Sequence, residues 1–280
     1  MNYLWIFFNG ILMGMANVIP GLSGGTLLLL TGTYPRFIEV FGSLDRKNLK
    51  VYKWRANAIF VIIIAIGALA SIFAMSKIMS WLLQNYDVPV YLLLIGLIIG
   101  SLDIITKKID FNSGTSRYAL ITGIVLIILI VIFGTIIKPP SSPIRSVHPL
   151  LLITGGVIAA ATMVLPGVSG SMVLVLMGLY KPIVDSVSDL NFLNIFLIGI
   201  GAVFGILFAS RMIKSLMEKH SSSTYAFLLG LIIASLVHLF PLSIFEQFSA
   251  FIIGIIALIF GIILGKGLKS LEKRYSKEKS

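Results

Sequence analysis

Two stretches of this chain, residues 17–34 and 163–180, are copies of one broken apolar motif. The first reads NVIPGLSGGTLLLLTGTY and the second MVLPGVSGSMVLVLMGLY, identical at 9 of 18 positions without a gap. A second pair follows downstream, where YLLLIGLIIGSL at 91–102 matches YAFLLGLIIASL at 225–236 at 8 of 12 positions. Shared Leu and Ile content explains part of the second match but not the repeated Pro-Gly-x-Ser-Gly. The chain therefore reads as an internal duplication.

The surroundings of the two copies decide the fold class. Only 12% of the 280 residues are charged and 58% are hydrophobic, whereas a soluble domain carries about 25% charged residues. Six apolar runs, at about 56–80, 89–106, 118–137, 192–210, 224–240 and 246–265, are long enough to cross a bilayer. Residues 3–34 and 149–180 are apolar too, but Pro20-Gly21 and Pro166-Gly167 break them into arms of about 14–18 residues. Arms this short predict re-entrant hairpins that return to the side they entered from. Irregular backbone at membrane depth survives only inside protein or beside a wet cavity.

The expected fold is thus an all-α polytopic membrane protein with an inverted-topology repeat. Residues 1–138 form the first repeat, 139–266 the second, and 267–280 a basic cytoplasmic tail. Each repeat is one hairpin plus three spans, and three crossings per half force opposite orientations. Basic residues test this independently. Segments 35–55, 107–117, 211–223 and 266–280 hold 18 of the 22 Lys and Arg residues, leaving Lys77, Lys138, Arg145 and Lys181 for the other side. That imbalance predicts both termini in the cytoplasm. The net charge of +11 is then a topology signal and a contact for anionic lipid heads, not a nucleic-acid footprint. No cleavable signal peptide is expected at the N-terminus.

The motif itself suits an anion. Pro ends the incoming arm by removing an N–H. Gly21, Gly24 and Gly25 allow positive φ and close backbone approach. Ser23 and Thr26 supply hydroxyls able to cap the outgoing arm, whose first free N–H groups and positive dipole end face the break. Pro166, Gly167, Ser169, Gly170 and Ser171 repeat the arrangement, and Asn17 precedes the first break. The competing reading is that Pro and Gly shape a turn and Ser satisfies the backbone groups it frees. No span carries a charge near its centre. Asp103 and Lys107 are expected to pair locally, and Lys77 and Arg211 to snorkel. At the hairpin mouths Tyr34 aligns with Tyr180 and Glu39 with Asp185, each set beside one cation, Arg36 or Lys181. These six are candidates for headgroup contact or proton coupling, against interfacial anchoring as the simpler role. Small residues four apart, at Gly96/Gly100, Gly201/Gly205, Gly230/Ala234 and Gly261/Gly265, predict close helix packing.

With no cysteine, disulfides and thiol chemistry are excluded, and neither a metal nor a cofactor is expected. No G-x-x-x-x-G-K-[ST] run is present, which argues against ATP-driven transport by this chain alone.

The segment MANVIPGLSGGT at 15–26 and its partner MVLPGVSGS at 163–171 resemble the bacterial polyprenyl-phosphate transporters of the PopT type. The resemblance covers nearly the whole chain, since both hairpins and the order of spans match. It implies a plasma-membrane flippase, not an enzyme, that returns undecaprenyl phosphate from the outer to the cytoplasmic leaflet for cell-wall synthesis. Relatives often carry Asp where Asn17 stands; without that carboxylate, Glu39 or Asp185 would have to relay a proton, or no proton is coupled. Moving one phosphate charge inward opposes the membrane potential by roughly 2.3 kcal/mol per 100 mV, and a helix end contributes only about 0.3–2 kcal/mol. Dipoles therefore bind the headgroup without driving it. Three other readings compete. One is a transporter or channel for a small inorganic anion. Another is passive lipid scrambling. The third is a serine hydrolase, for which the base would have to be His148, His220 or His238. Oligomeric state is not legible.

Overall fold

The computed structural model describes residues 2–44, 53–136, 148–241, 244 and 248–277. Described secondary structure is helical with no strand, as a chain that must satisfy its own backbone groups in lipid requires. The helices are α1 (Tyr3–Val18), α2 (Gly24–Leu30), α3 (Tyr34–Gly42), α4 (Trp54–Asn85), α5 (Asp87–Ser101), α6 (Asp103–Thr106), α7 (Gly114–Ile136), α8 (Pro149–Val164), α9 (Gly170–Leu176), α10 (Tyr180–Ser188), α11 (Phe192–Lys219), α12 (Ser221–Leu239) and α13 (Phe248–Lys277). Six helical segments are long and apolar enough to cross a membrane: Trp54–Asn85, Asp87–Thr106, Gly114–Gly134, Phe192–Lys219, Ser221–Leu239 and Phe251–Leu268. They match the six expected runs, so the chain is a multi-pass membrane protein. The loop cations Arg46, Lys47, Lys50, Lys138 and Arg145 lie outside the described residues. α13 runs on through Lys277, into the residues expected to form the tail.

The two broken regions form matching pieces. α1 and α8 have 16 residues each, α2 and α9 seven, and α3 and α10 nine. A 16-residue helix is about 24 Å long, short of a hydrocarbon core of about 30 Å. The equivalent residues Asn2 and His148 cap the first arms, each accepting from the amide two residues on. The return arms differ from the expectation. Each stops after seven residues at a turn, with Gly32 at φ 71° and Gly178 at φ 69°, before α3 or α10 begins. Pro35 and Pro182 near the starts of these last helices fit positions that need no N–H donor.

Glycines set the scaffold by letting backbones touch. In α1 against α4, a Cβ on Gly10 would strike the Ile64 carbonyl and one on Gly67 the Phe7 carbonyl. In α8 against α11 the equivalent Gly156 meets Ile198 and Gly201 meets Ile153. Two more seams cross between the halves. Gly96 of α5 meets Leu258 of α13 and Gly261 meets Leu93; Gly230 of α12 meets Leu120 of α7 and Gly123 meets Phe227. Gly96 aligns with Gly230 and Leu93 with Phe227, so one contact is used twice. This is small-residue packing of the kind membranes favour, and it includes every glycine of the small-residue pairs expected from sequence.

One face of the molecule collects the basic ends. Lys214 of α11 donates to Ser43 at 3.0 Å, and Arg211 reaches the Leu44 carbonyl. Lys108 donates to the Tyr225 hydroxyl at 3.1 Å and lies over its ring. The Asp110 amide and the Ser116 hydroxyl both meet Ser222.

Candidate functional site

Both breaks follow from the same local chemistry. Pro20 and Pro166 cannot extend their helices. The chain turns at Gly21 (φ 81°) and Gly167 (φ 80°), a left-handed backbone that costs a side-chain-bearing residue about 1–2 kcal/mol. Extended residues Ser23 and Ser169 then start the return arms.

The breaks meet inside the protein. Ser23 Oγ donates to the Met163 and Leu165 carbonyls at 3.3 and 3.2 Å. Tyr34 Oη donates to the Val164 carbonyl at 3.1 Å. Thr26 Oγ1 accepts the Gly167 N–H at 2.8 Å. The last carbonyls of a helix lack partners within it, and here three of those at the end of α8 are answered by hydroxyls of the first hairpin. Gly25 makes this possible, since a Cβ would press on the Val164 carbonyl at 2.8 Å. The start of α2 thus lies against the end of α8, positive end to negative end, a favourable dipole arrangement. Ser23, Thr26 and Tyr34 are 2%, 1% and 0% exposed, so their hydroxyls are committed to protein.

The second break is different. Ser169 Oγ and Ser171 Oγ bond each other at 2.8 Å and border a cavity of about 170 Å³. One water needs roughly 10–15 Å³ on the same measure, so there is room for several. Its polar rim is Asn17, Ser23, Ser169, Gly170 and Ser171; Leu22, Ala159, Met163, Val168 and Leu174 form the apolar wall. Asn17 Oδ1 accepts the Gly24 N–H at 3.3 Å, leaving its amide NH₂ as a donor. The opening N–H groups of α9 have no carbonyl one turn back. No lining residue of this cavity is charged. An anion here meets hydroxyls, an amide and backbone N–H groups. Across Val168 and Ser169 lies a narrow crevice bounded by Ile127, Ile130, Val131 and Met172, with Gly21 and His238 also lining it.

Of the six mouth residues, Tyr34 reaches the second break and the other five do not join this site. Arg36 donates to Glu39 at 2.8 Å and to Asn57 Oδ1 at 2.6 Å, and lies over the Phe60 ring. Lys181 pairs with Asp185 at 2.7 Å. Each carboxylate is exposed and held by the cation of its own helix. Tyr180 lies at the surface and Tyr34 deep inside. Ser23 and Ser169 bond carbonyls and a hydroxyl respectively, while His148 serves as a helix cap. Sequence reasoning did not find the α8 carbonyls or the inward position of Tyr34. The aligned tyrosines marked the residue but not its partner.

The chain matches the undecaprenyl phosphate translocase-like family (VCA0040-like) over residues 13–254. It belongs to that family. The match takes in both breaks, the first five spans and the start of the sixth, in keeping with the resemblance seen at 15–26 and 163–171. A polyprenyl-phosphate transporter of Vibrio cholerae serotype O1 is 33% identical over 251 residues, covering 86% of this chain and 79% of that protein. A polyprenyl-phosphate transporter of Staphylococcus aureus is 28% identical over 280 residues, covering 95% and 97%. No solved structure matches this family member.

Proposed function

We propose that this chain carries polyprenyl phosphate, with undecaprenyl phosphate as substrate, from the outer to the cytoplasmic leaflet of the bacterial plasma membrane. The observation that carries the reading is the neutral cavity between the two breaks. It offers Asn17, Ser169, Ser171 and the opening amides of α9 to a phosphate. The similar transporters of two bacteria support the same substrate.

The topology supports the route. α1 runs parallel to α4 and α8 parallel to α11, as the successive glycine contacts require. With both termini cytoplasmic, the first hairpin enters from the basic face and the second from the opposite face. The two halves are then inverted copies, each a re-entrant hairpin with three spans, meeting at a shared site. Inward movement of the phosphate runs against the membrane potential, so the lipid gradient or a proton drives it. Arg36, Glu39, Tyr180, Lys181 and Asp185 sit outside the cavity, where headgroup capture at the mouths is the role left to them.

Translocation of labelled undecaprenyl phosphate in proteoliposomes, with and without a pH gradient, tests this. Wild-type protein moves the lipid, and excess inorganic phosphate does not compete. Hydrogen bonds to a charged group contribute about 1.5–3 kcal/mol each, so Ser169→Ala with Ser171→Ala lowers headgroup affinity tenfold or more. Transport blocked by inorganic phosphate would identify a small-anion carrier instead.

A further inference from the structure

The two hairpins hold equivalent side chains in opposite situations. Tyr34 is 0% exposed and its counterpart Tyr180 is 44%; Leu29 is 1% exposed and its counterpart Val175 is 40%. Hairpin one is fastened across the molecule through Tyr34 to the Val164 carbonyl, Ser23 to those of Met163 and Leu165, and Thr26 to the Gly167 amide. In hairpin two Ser169 is turned to its neighbour Ser171. Yet the residues for the reverse fastening are present. The carbonyls equivalent to Met163, Val164 and Leu165 are those of Asn17, Val18 and Ile19, at the end of α1.

Resting on the transport reading above, we infer that Tyr34 and Tyr180 are reciprocal latches, and that this structure is the state with hairpin one latched. The route past α2 to the basic face is closed, and the cavity opens past α9. In the other state Tyr180 donates to the Val18 carbonyl and Ser169 to those of Asn17 and Ile19. Hairpin one is then released, baring Leu29 and Tyr34 toward the basic face. The headgroup stays at the shared breaks while access to it changes sides, as ensemble exchange between two packings requires. The latches are unequal. Thr26 aligns with Met172, which has no hydroxyl, so hairpin one holds one bond that hairpin two cannot copy. That imbalance favours the state seen at rest.

The absence of cysteine makes single-cysteine labelling clean. Val175→Cys and Leu29→Cys are made separately, reconstituted in known orientation, and treated with a membrane-impermeant thiol reagent from each face. At rest Val175→Cys reacts from the face opposite the basic one and Leu29→Cys is protected. Adding Tyr34→Phe raises Leu29→Cys reactivity from the basic face roughly tenfold, the scale of one lost hydrogen bond, and lowers that of Val175→Cys. Thr26→Val, a near-isosteric change, does the same more weakly, and Tyr180→Phe shifts both rates the other way. Rates that stay unchanged, or that rise together at both positions, would overturn the latch. Labelling needs no substrate, so it stands or falls separately from lipid transport, which the liposome assay decides.

Discussion

Hairpin one and hairpin two share arm lengths, breaks and turns, yet one has its hydroxyls tied into protein and the other keeps them at a cavity. Ser23 and Ser169 occupy the same place in the motif. Ser23 closes the carbonyl end of α8, and Ser169 faces Ser171 beside open space. The difference shows that a duplicated motif need not mean a duplicated role within one conformation. The partial charges at a helix end are satisfied either by another helix end or by a ligand. At α2 the partner is α8, and α9 starts beside the open cavity.

The comparison can be broken most strongly at the turn glycines. Both have φ near +80°, so alanine costs about 1–2 kcal/mol at either from backbone conformation. At Gly167 the new Cβ would also press on the Leu231 backbone at 2.6 Å, whereas at Gly21 it would meet only the ends of Leu239 and His238 at 3.2 and 3.4 Å. Overpacking adds about 1–3 kcal/mol. Thermal unfolding in detergent should therefore show Gly167→Ala clearly below Gly21→Ala; equal losses would mean the two turns are equally confined. Next come the motif serines. Ser23→Ala leaves buried carbonyls without a donor, a loss of about 1–3 kcal/mol, while Ser169→Ala leaves stability nearly unchanged and lowers phosphate binding. Smallest are the mouth carboxylates. Exposed ion pairs contribute about 0–1 kcal/mol, so Glu39→Gln and Asp185→Asn should match wild type in melting temperature and each other in transport. A loss of pH-dependent transport in only one of them would assign that mouth to proton coupling.

Much of this architecture was legible before any coordinates. Bilayer thickness fixes how long an apolar run must be, so the six spans stand out. Pro-Gly inside an apolar run leaves few alternatives to a break. Small residues at four-residue spacing announced the seams at Gly96, Gly201, Gly230 and Gly261, although nothing in spacing says that α5 chooses α13 over a neighbour in its own half. The return arms were read as longer than they are, because a single Gly at 32 or 178 is a weak signal in a Leu-rich stretch. Tyr34 shows why the site was only partly readable. Its alignment with Tyr180 predicts equivalent surroundings, but a two-fold pattern in sequence does not specify which of two asymmetric packings is occupied. The turns at Gly32 and Gly178 are alike, yet Tyr34 is buried against the Val164 carbonyl and Tyr180 is exposed.

The crossed seams carry a consequence for assembly. Two of the four glycine-lined joints, α5 with α13 and α7 with α12, draw one helix from each copy. Neither copy can complete its own interior, so a gene cut within 137–147 should yield fragments that accumulate only when made together.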